Sequence, residues 1–237
     1  MKNKSDARWT RRAGAVLASL PLAVLTSSVG AVTPASTGNQ LRLPEHFSGL
    51  LNDYTPPAPT VSGGPYEMHG IWALHLGPRG TAAFTAEMSM ETADFANTDL
   101  NHDPTKLGPH THHISVTDGV VHNDLTDPIN WKAACPTFKP AVTDGFVVTG
   151  TAFVTGNGGN PPFGNPSAVT ICVLGGTQNL TITAPQAFVE FSNLTLTFGT
   201  TSLAATHFGT QAINGVVSKC DRPWSRESKD CRVEVVE

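Results

Sequence analysis

Residues 81–91 read Thr-Ala-Ala-Phe-Thr-Ala-Glu-Met-Ser-Met-Glu, and within them Phe84, Ala86, Met88 and Met90 alternate with Thr85, Glu87, Ser89 and Glu91. Strict alternation marks a half-buried β-strand, because successive side chains leave a strand on opposite faces. The run forms a strand pair with residues 68–76 across the turn Gly77-Pro78-Arg79-Gly80. From Gly145 onward strand follows strand: 146–154, 169–174, 180–183, 188–198, 203–208 and 212–217. In 188–198 the apolar phase shifts from odd positions (Val189, Phe191) to even ones (Leu194, Leu196, Phe198), which places a bulge near Ser192 and Asn193. With 22 glycines, 18 prolines and few charges, the composition is that of a turn-rich β protein. The expected fold is all-β: about ten strands in a single antiparallel barrel or two-sheet sandwich, with one core.

The chain in front of these strands has a different character. A basic start through Arg11 and Arg12 is followed by an uncharged, mostly apolar run over residues 13–29 and a small-residue close at Val29-Gly30-Ala31. That is the layout of a bacterial-type secretory signal over 1–31, and Thr10-Arg11-Arg12-Ala13 also resembles a twin-arginine export signal. The apolar run is too short for a stable membrane span. Residues 32–65 carry six prolines and no sustained periodicity, so they read as a linker or strap, and 66–237 as the β domain. Secreted or periplasmic localisation follows. Four cysteines agree with it, the expected pairs being Cys135–Cys172 and Cys220–Cys231. A zinc site built from all four is the competing arrangement, but no Cys-x-x-Cys spacing exists. The chain is slightly acidic, with net charge -4, and no basic patch interleaves with aromatics, which argues against a nucleic-acid partner.

Chemistry concentrates at one place. Four of the nine histidines (His110, His112, His113 and His122) lie within thirteen residues. Asp118-Gly119 between them is a turn dipeptide, so the stretch reads as a β-hairpin. On the first strand His110 and His112 share a face, and two imidazoles at i and i+2 can aim at one point, as zinc, copper or iron sites require. The turn length decides the role of His122. A two-residue loop puts it on the face of His113, and a three-residue loop puts it with His110 and His112. In either register a histidine faces Asp124. The expected site is mononuclear, with His110 and His112 as ligands and His207 or His122 as the third.

Pro109-His110-Thr111-His112 resembles the first metal-binding motif of cupins, an H-x-H followed by a glutamate and later a third histidine. No glutamate lies three to five residues after His112. What the resemblance implies is a small β-barrel with a histidine-held metal. Pairing Trp72 with Phe84 puts His69 opposite Glu87, which makes Glu87 the candidate general base. Asp99-x-Asn101-x-Asp103 is half of a calcium-loop spacing, without its glycine and closing glutamate. Asn179 and Asn193 open glycosylation sequons that a bacterial-type signal leaves without meaning. A serine hydrolase is disfavoured, since no Gly-x-Ser-x-Gly elbow is present. The functional expectation is a secreted barrel with a transition-metal site, acting as a metal-dependent hydrolase, lyase or oxygenase. The alternative is a non-catalytic barrel that binds an apolar or carbohydrate ligand on a lining of Trp72, Phe84, Met88, Phe153, Phe191 and Phe198. The oligomeric state cannot be read from the sequence.

Overall fold

A computed structural model describes residues 43–61, 64–92, 110–135, 144–156, 166–179, 187–221 and 231–234. The signal-like segment, the half calcium loop and the expected strand at 180–183 lie outside the described residues. Among the described residues there are nine strands: β1 (His46–Tyr54), β2 (Tyr66–Leu76), β3 (Thr81–Thr92), β4 (His110–His122), β5 (Asp144–Thr155), β6 (Ser167–Asn179), β7 (Ala187–Phe198), β8 (Ile213–Asp221) and β9 (Arg232–Glu234). The two α-helices among these residues are short, α1 (Trp131–Ala134) and α2 (Leu203–Phe208).

The strands run in the order β6-β5-β4-β3-β2-β1-β8-β7, all antiparallel, and β6 pairs with β7 to close an eight-stranded barrel. Where β8 leaves β7, β9 takes over the edge along Phe188–Glu190. Closure removes the exposed strand edges that an open sheet would leave.

Alternation sorts the faces as the sequence requires. Trp72, Leu74, Phe84, Ala86, Met88 and Met90 point inward and are buried, while His69, His75, Glu87 and Glu91 are exposed. The interior is thus apolar, while the outer face carries these polar side chains beside exposed Leu50, Ile71, Phe153 and Val216. The interior is packed: Phe47, Phe146 and Phe191 meet one another at centroid distances of 5.3–5.6 Å, and Trp72 stacks on Phe84 at 6.3 Å. Five of the six side chains read as a pocket lining are thus core. Phe153 is 47% exposed on the outer face.

Both expected disulfides are present, Cys135–Cys172 and Cys220–Cys231. The first fastens α1 over a small outer cluster of Val147, Cys172 and Leu174, and the second ties the end of β8 to β9. The bulge on β7 falls at Ser192, since Asn193 pairs with Leu174 and Phe191 with Gly175.

Several sequence expectations need correction. The segment 32–65 contains β1, which sits between β2 and β8 in the barrel wall rather than strapping over it. Leu203–Phe208 is a helix, because Ser202 caps its start through Ala205 N and Gly209, at φ 93°, ends it. The strand expected at 169–174 does not stop there, and β6 runs through Gly175 and Gly176 to Asn179. Nor is there a hairpin at Asp118-Gly119, since β4 continues to His122 with a bulge between Val116 and Val120. The same two residues serve the bulge. Asp118 Oδ1 accepts the Thr151 N–H at 2.9 Å, which holds its carboxyl below the usual range, and a Cβ on Gly119 would stand 2.7 Å from the Ala82 carbonyl oxygen. Finally, Trp72 pairs with Ala86 and Leu74 with Phe84, so His69 lies opposite Ser89 rather than Glu87.

Candidate metal centre

The inner face of β4 reads His110, His112, Ile114, Val116, and their partners across β3 are Met90, Met88, Ala86 and Phe84. Six of these eight are core residues on an unbroken pattern. The last two positions of the inner stripe, at one end of the barrel, are therefore imidazoles where aliphatic side chains would be expected.

The third imidazole comes from α2, in the connection between β7 and β8. Ala204, Ala205 and Phe208 are the buried residues of this helix, and His207 follows Ala204 by three positions, so the two share a side. Phe208 locks the arrangement. It is fully buried, stacks on Phe198 at 5.2 Å and meets the rings of His112 and His207 edge-on at 5.1 and 5.0 Å.

The three rings converge through their Nε2 atoms. His207 Nε2 lies 3.2 Å from His110 Nε2 and 3.1 Å from His112 Nε2, and the three rings offer ligand atoms within 4.8 Å of one another. These three residues could hold a metal ion. Two nitrogens at about 2.0–2.1 Å from one ion are separated by roughly 3.3 Å in tetrahedral and roughly 2.9 Å in cis-octahedral geometry. The observed separations fall between the two.

Electrostatics keep the rings in the form a cation needs. Burial, then the neighbouring His110, pushes His112 down to about 4, while burial and the repulsion of His112 and His110 push His207 down to about 3. Both are therefore neutral near pH 7, with lone pairs to offer. The Nδ1 of His112 faces the Thr155 carbonyl oxygen at 3.3 Å. A carbonyl only accepts, so that contact puts the ring proton on Nδ1 and the lone pair on Nε2, the atom that faces His207.

His122 and Glu87 are elsewhere. His122 ends β4, twelve residues and roughly 35–40 Å along the strand from His110. Its Nδ1 pairs with Asp127 Oδ2 at 2.9 Å and its Nε2 with Thr149 Oγ1 at 2.8 Å, so both nitrogens are occupied. Asp124, the expected carboxylate neighbour, instead accepts from the N–H and hydroxyl of Thr126. Glu87 stands on the outer face, 62% exposed, with its Oε1 at 2.6 Å from His113 Nδ1. The barrel wall separates it from the three imidazoles.

Tyr66 was not singled out from the sequence. It is buried at the same end, with its ring 5.8 Å from that of His110 and 6.0 Å from that of His207, and burial raises its hydroxyl pKa. The available signal was its alternation with Met68 on the inner face of β2. Among the described residues, no carboxylate or thiol joins the three histidines. No helix among them is long and apolar enough to cross a membrane. Comparison of the chain with protein-family models, with curated proteins and with solved structures gave no match.

Proposed function

We propose that this barrel is a metalloprotein that holds one transition-metal ion on His110, His112 and His207. The observation that carries the reading is the double contact of His207 Nε2. A neutral imidazole nitrogen has either one N–H or one lone pair, yet this atom meets two other Nε2 atoms at 3.1 and 3.2 Å. Hydrogen bonding among three neutral rings satisfies one such contact well and leaves the other frustrated. A cation accepting all three lone pairs resolves it. Three imidazoles without a carboxylate suit zinc or copper better than the two-histidine, one-carboxylate set of non-haem iron.

Three protein ligands leave a coordination position for water or a substrate oxygen, and an ion there would supply Lewis acidity. The enzymatic form of the proposal is a metal-dependent hydrolase, lyase or oxygenase, in which the buried Tyr66, its ring 5.8 Å from that of His110, replaces the outward-facing Glu87 as the candidate acid. Two disulfides support action in an oxidising compartment. A second reading, a non-catalytic ligand-binding barrel, draws on a cleft of about 680 Å³ at the other end, where Leu43, Leu76, Pro78 and Val121 meet Glu45 and His122.

Elemental analysis of untagged protein, beside a His110→Ala/His112→Ala double variant, tests the main reading. One equivalent of zinc or copper in the native protein, lost in the variant while circular dichroism keeps the β signature, is the expected result. A native protein that takes up no zinc, copper or iron on incubation overturns it.

A further inference from the structure

His46 and His75 form a second histidine pair, on the outer wall and far from the three buried rings. They are directly opposite in the β1–β2 ladder. Leu76 N donates to the Glu45 carbonyl at 2.7 Å, which makes 45/76 a hydrogen-bonded pair and 46/75 the adjoining non-hydrogen-bonded one. Side chains approach more closely at such pairs. The two rings accordingly lie 4.4 Å apart and tilted by 33°, with Nδ1 facing Nδ1 at 3.1 Å. Both residues are exposed.

We infer that His46 and His75 form a surface chelate for a divalent transition metal, separate from the buried centre, through their paired Nδ1 atoms. The 3.1 Å separation again lies between the roughly 2.9 Å of cis ligands in square-planar or octahedral geometry and the roughly 3.3 Å of tetrahedral geometry. In the metal-free pair one Nδ1 carries the shared proton. Moving that proton to Nε2 of the same ring gives a second Nδ1 lone pair, with no net proton released. Two imidazoles with water completing the shell suit copper(II) or nickel(II), the former being preferred by nitrogen ligands generally.

The site is independent of the buried one. His75 pairs with Ala83 on β3 and His110 with Met90, seven residues and roughly 23 Å further along that strand. The pair also faces outward, whereas His110, His112 and His207 face the barrel interior. Two ligands on an exposed surface make a weaker and faster-exchanging site than three in a buried one.

Calorimetric titration of untagged protein with nickel(II) or copper(II) tests the chelate, with His46→Ala and His75→Ala titrated in parallel. The native protein is expected to bind a weak equivalent that each single variant loses, while any tight equivalent stays. Copper(II) paramagnetic resonance of the weak equivalent is expected to show coupling to two ring nitrogens, falling to at most one in either variant. Weak-equivalent isotherms that superimpose for native protein and both variants overturn the chelate. If the buried centre binds nothing, the tight equivalent is missing from all three titrations, and the weak one still follows His46 and His75. Since both side chains are exposed, circular dichroism of the two variants is expected to match the native spectrum.

Discussion

The Nδ1 of His112 stands 3.3 Å from the carbonyl oxygen of Thr155, and because that oxygen can only accept, the tautomer of a buried imidazole is set by the backbone of the neighbouring strand. His112 has little access to water, so protonating it would place a charge in an apolar enclosure beside two other rings. In chelator-treated protein, nitrogen-detected NMR is expected to find His112 as the Nδ1–H tautomer at pH 7, with a titration midpoint near 4 rather than 6.5. A midpoint near 6.5, or an Nε2–H tautomer, would remove the basis for Nε2 as the ligating atom.

The same depression has a consequence for acid stability in the metal-free protein. Above about pH 6.5 both His112 and His207 are neutral in the folded and the unfolded chain, so they add no pH dependence. Below 6.5 the unfolded chain takes up protons that the folded one refuses until about 4 at His112 and about 3 at His207. Stability therefore falls as pH drops through that window, by at most about 1.4 kcal/mol per pH unit for each ring. Urea midpoints measured between pH 7 and 4 are expected to fall more steeply for native protein than for a His112→Gln/His207→Gln variant. Parallel curves for the two would contradict the assigned burial of these rings.

The period-2 pattern made the strands of the wall legible, because burial of one face dictates each second residue along β2 and β3. What it could not fix was determined by non-local neighbours. Asp118-Gly119 has the chemistry of a turn, but β3 on one side and β5 on the other continue past it, and the residues serve a bulge instead. The six residues of α2 are too few to display a helical period, although Ser202 and Gly209 carried both capping signals. Prolines on either side of β1 disguised a strand whose Phe47 and Leu51 point inward. For the site, the i, i+2 spacing put His110 and His112 on one face without help from the fold. The approach of His207 depends on where α2 enters the barrel end, which no local spacing encodes. His122 joined the cluster only through one register of a hairpin, and the continuous β4 carries it to the far end instead.

Phe208 backs two of the three rings, so its removal is expected to damage stability and metal affinity together. Its side chain is fully buried between Phe198, His112 and His207. Phe208→Ala is expected to cost about 3–5 kcal/mol in urea unfolding. Loosened rings are expected to lower metal affinity by about 10–100-fold, the range for removing a group that orients ligands. Phe208→Leu, which keeps most of the apolar volume, is expected to recover most of the stability but less of the affinity, since a leucine does not present a flat face to the imidazoles. Equal recovery of both would mean that Phe208 fills space without aligning the rings.

The two disulfides close loops of different length and are expected to differ in worth. Cys135–Cys172 spans 37 residues and Cys220–Cys231 spans 11. If each acts by restricting the unfolded chain, loop entropy gives about 3.8 kcal/mol for the first and about 2.8 kcal/mol for the second. Their folded environments increase the contrast. Cys172 is buried in the outer cluster with Val147 and Leu174, and the bridge is the covalent tie of α1 to β6. The shorter bridge fixes β9 beside a β7 edge that is already hydrogen bonded through Phe191 N to the Cys231 carbonyl at 3.0 Å. Unfolding of a Cys135→Ala/Cys172→Ala variant and a Cys220→Ala/Cys231→Ala variant is therefore expected to rank the first as the less stable by at least about 1 kcal/mol. The reverse order would show that anchoring the barrel's last edge strand matters more than closing the longer loop.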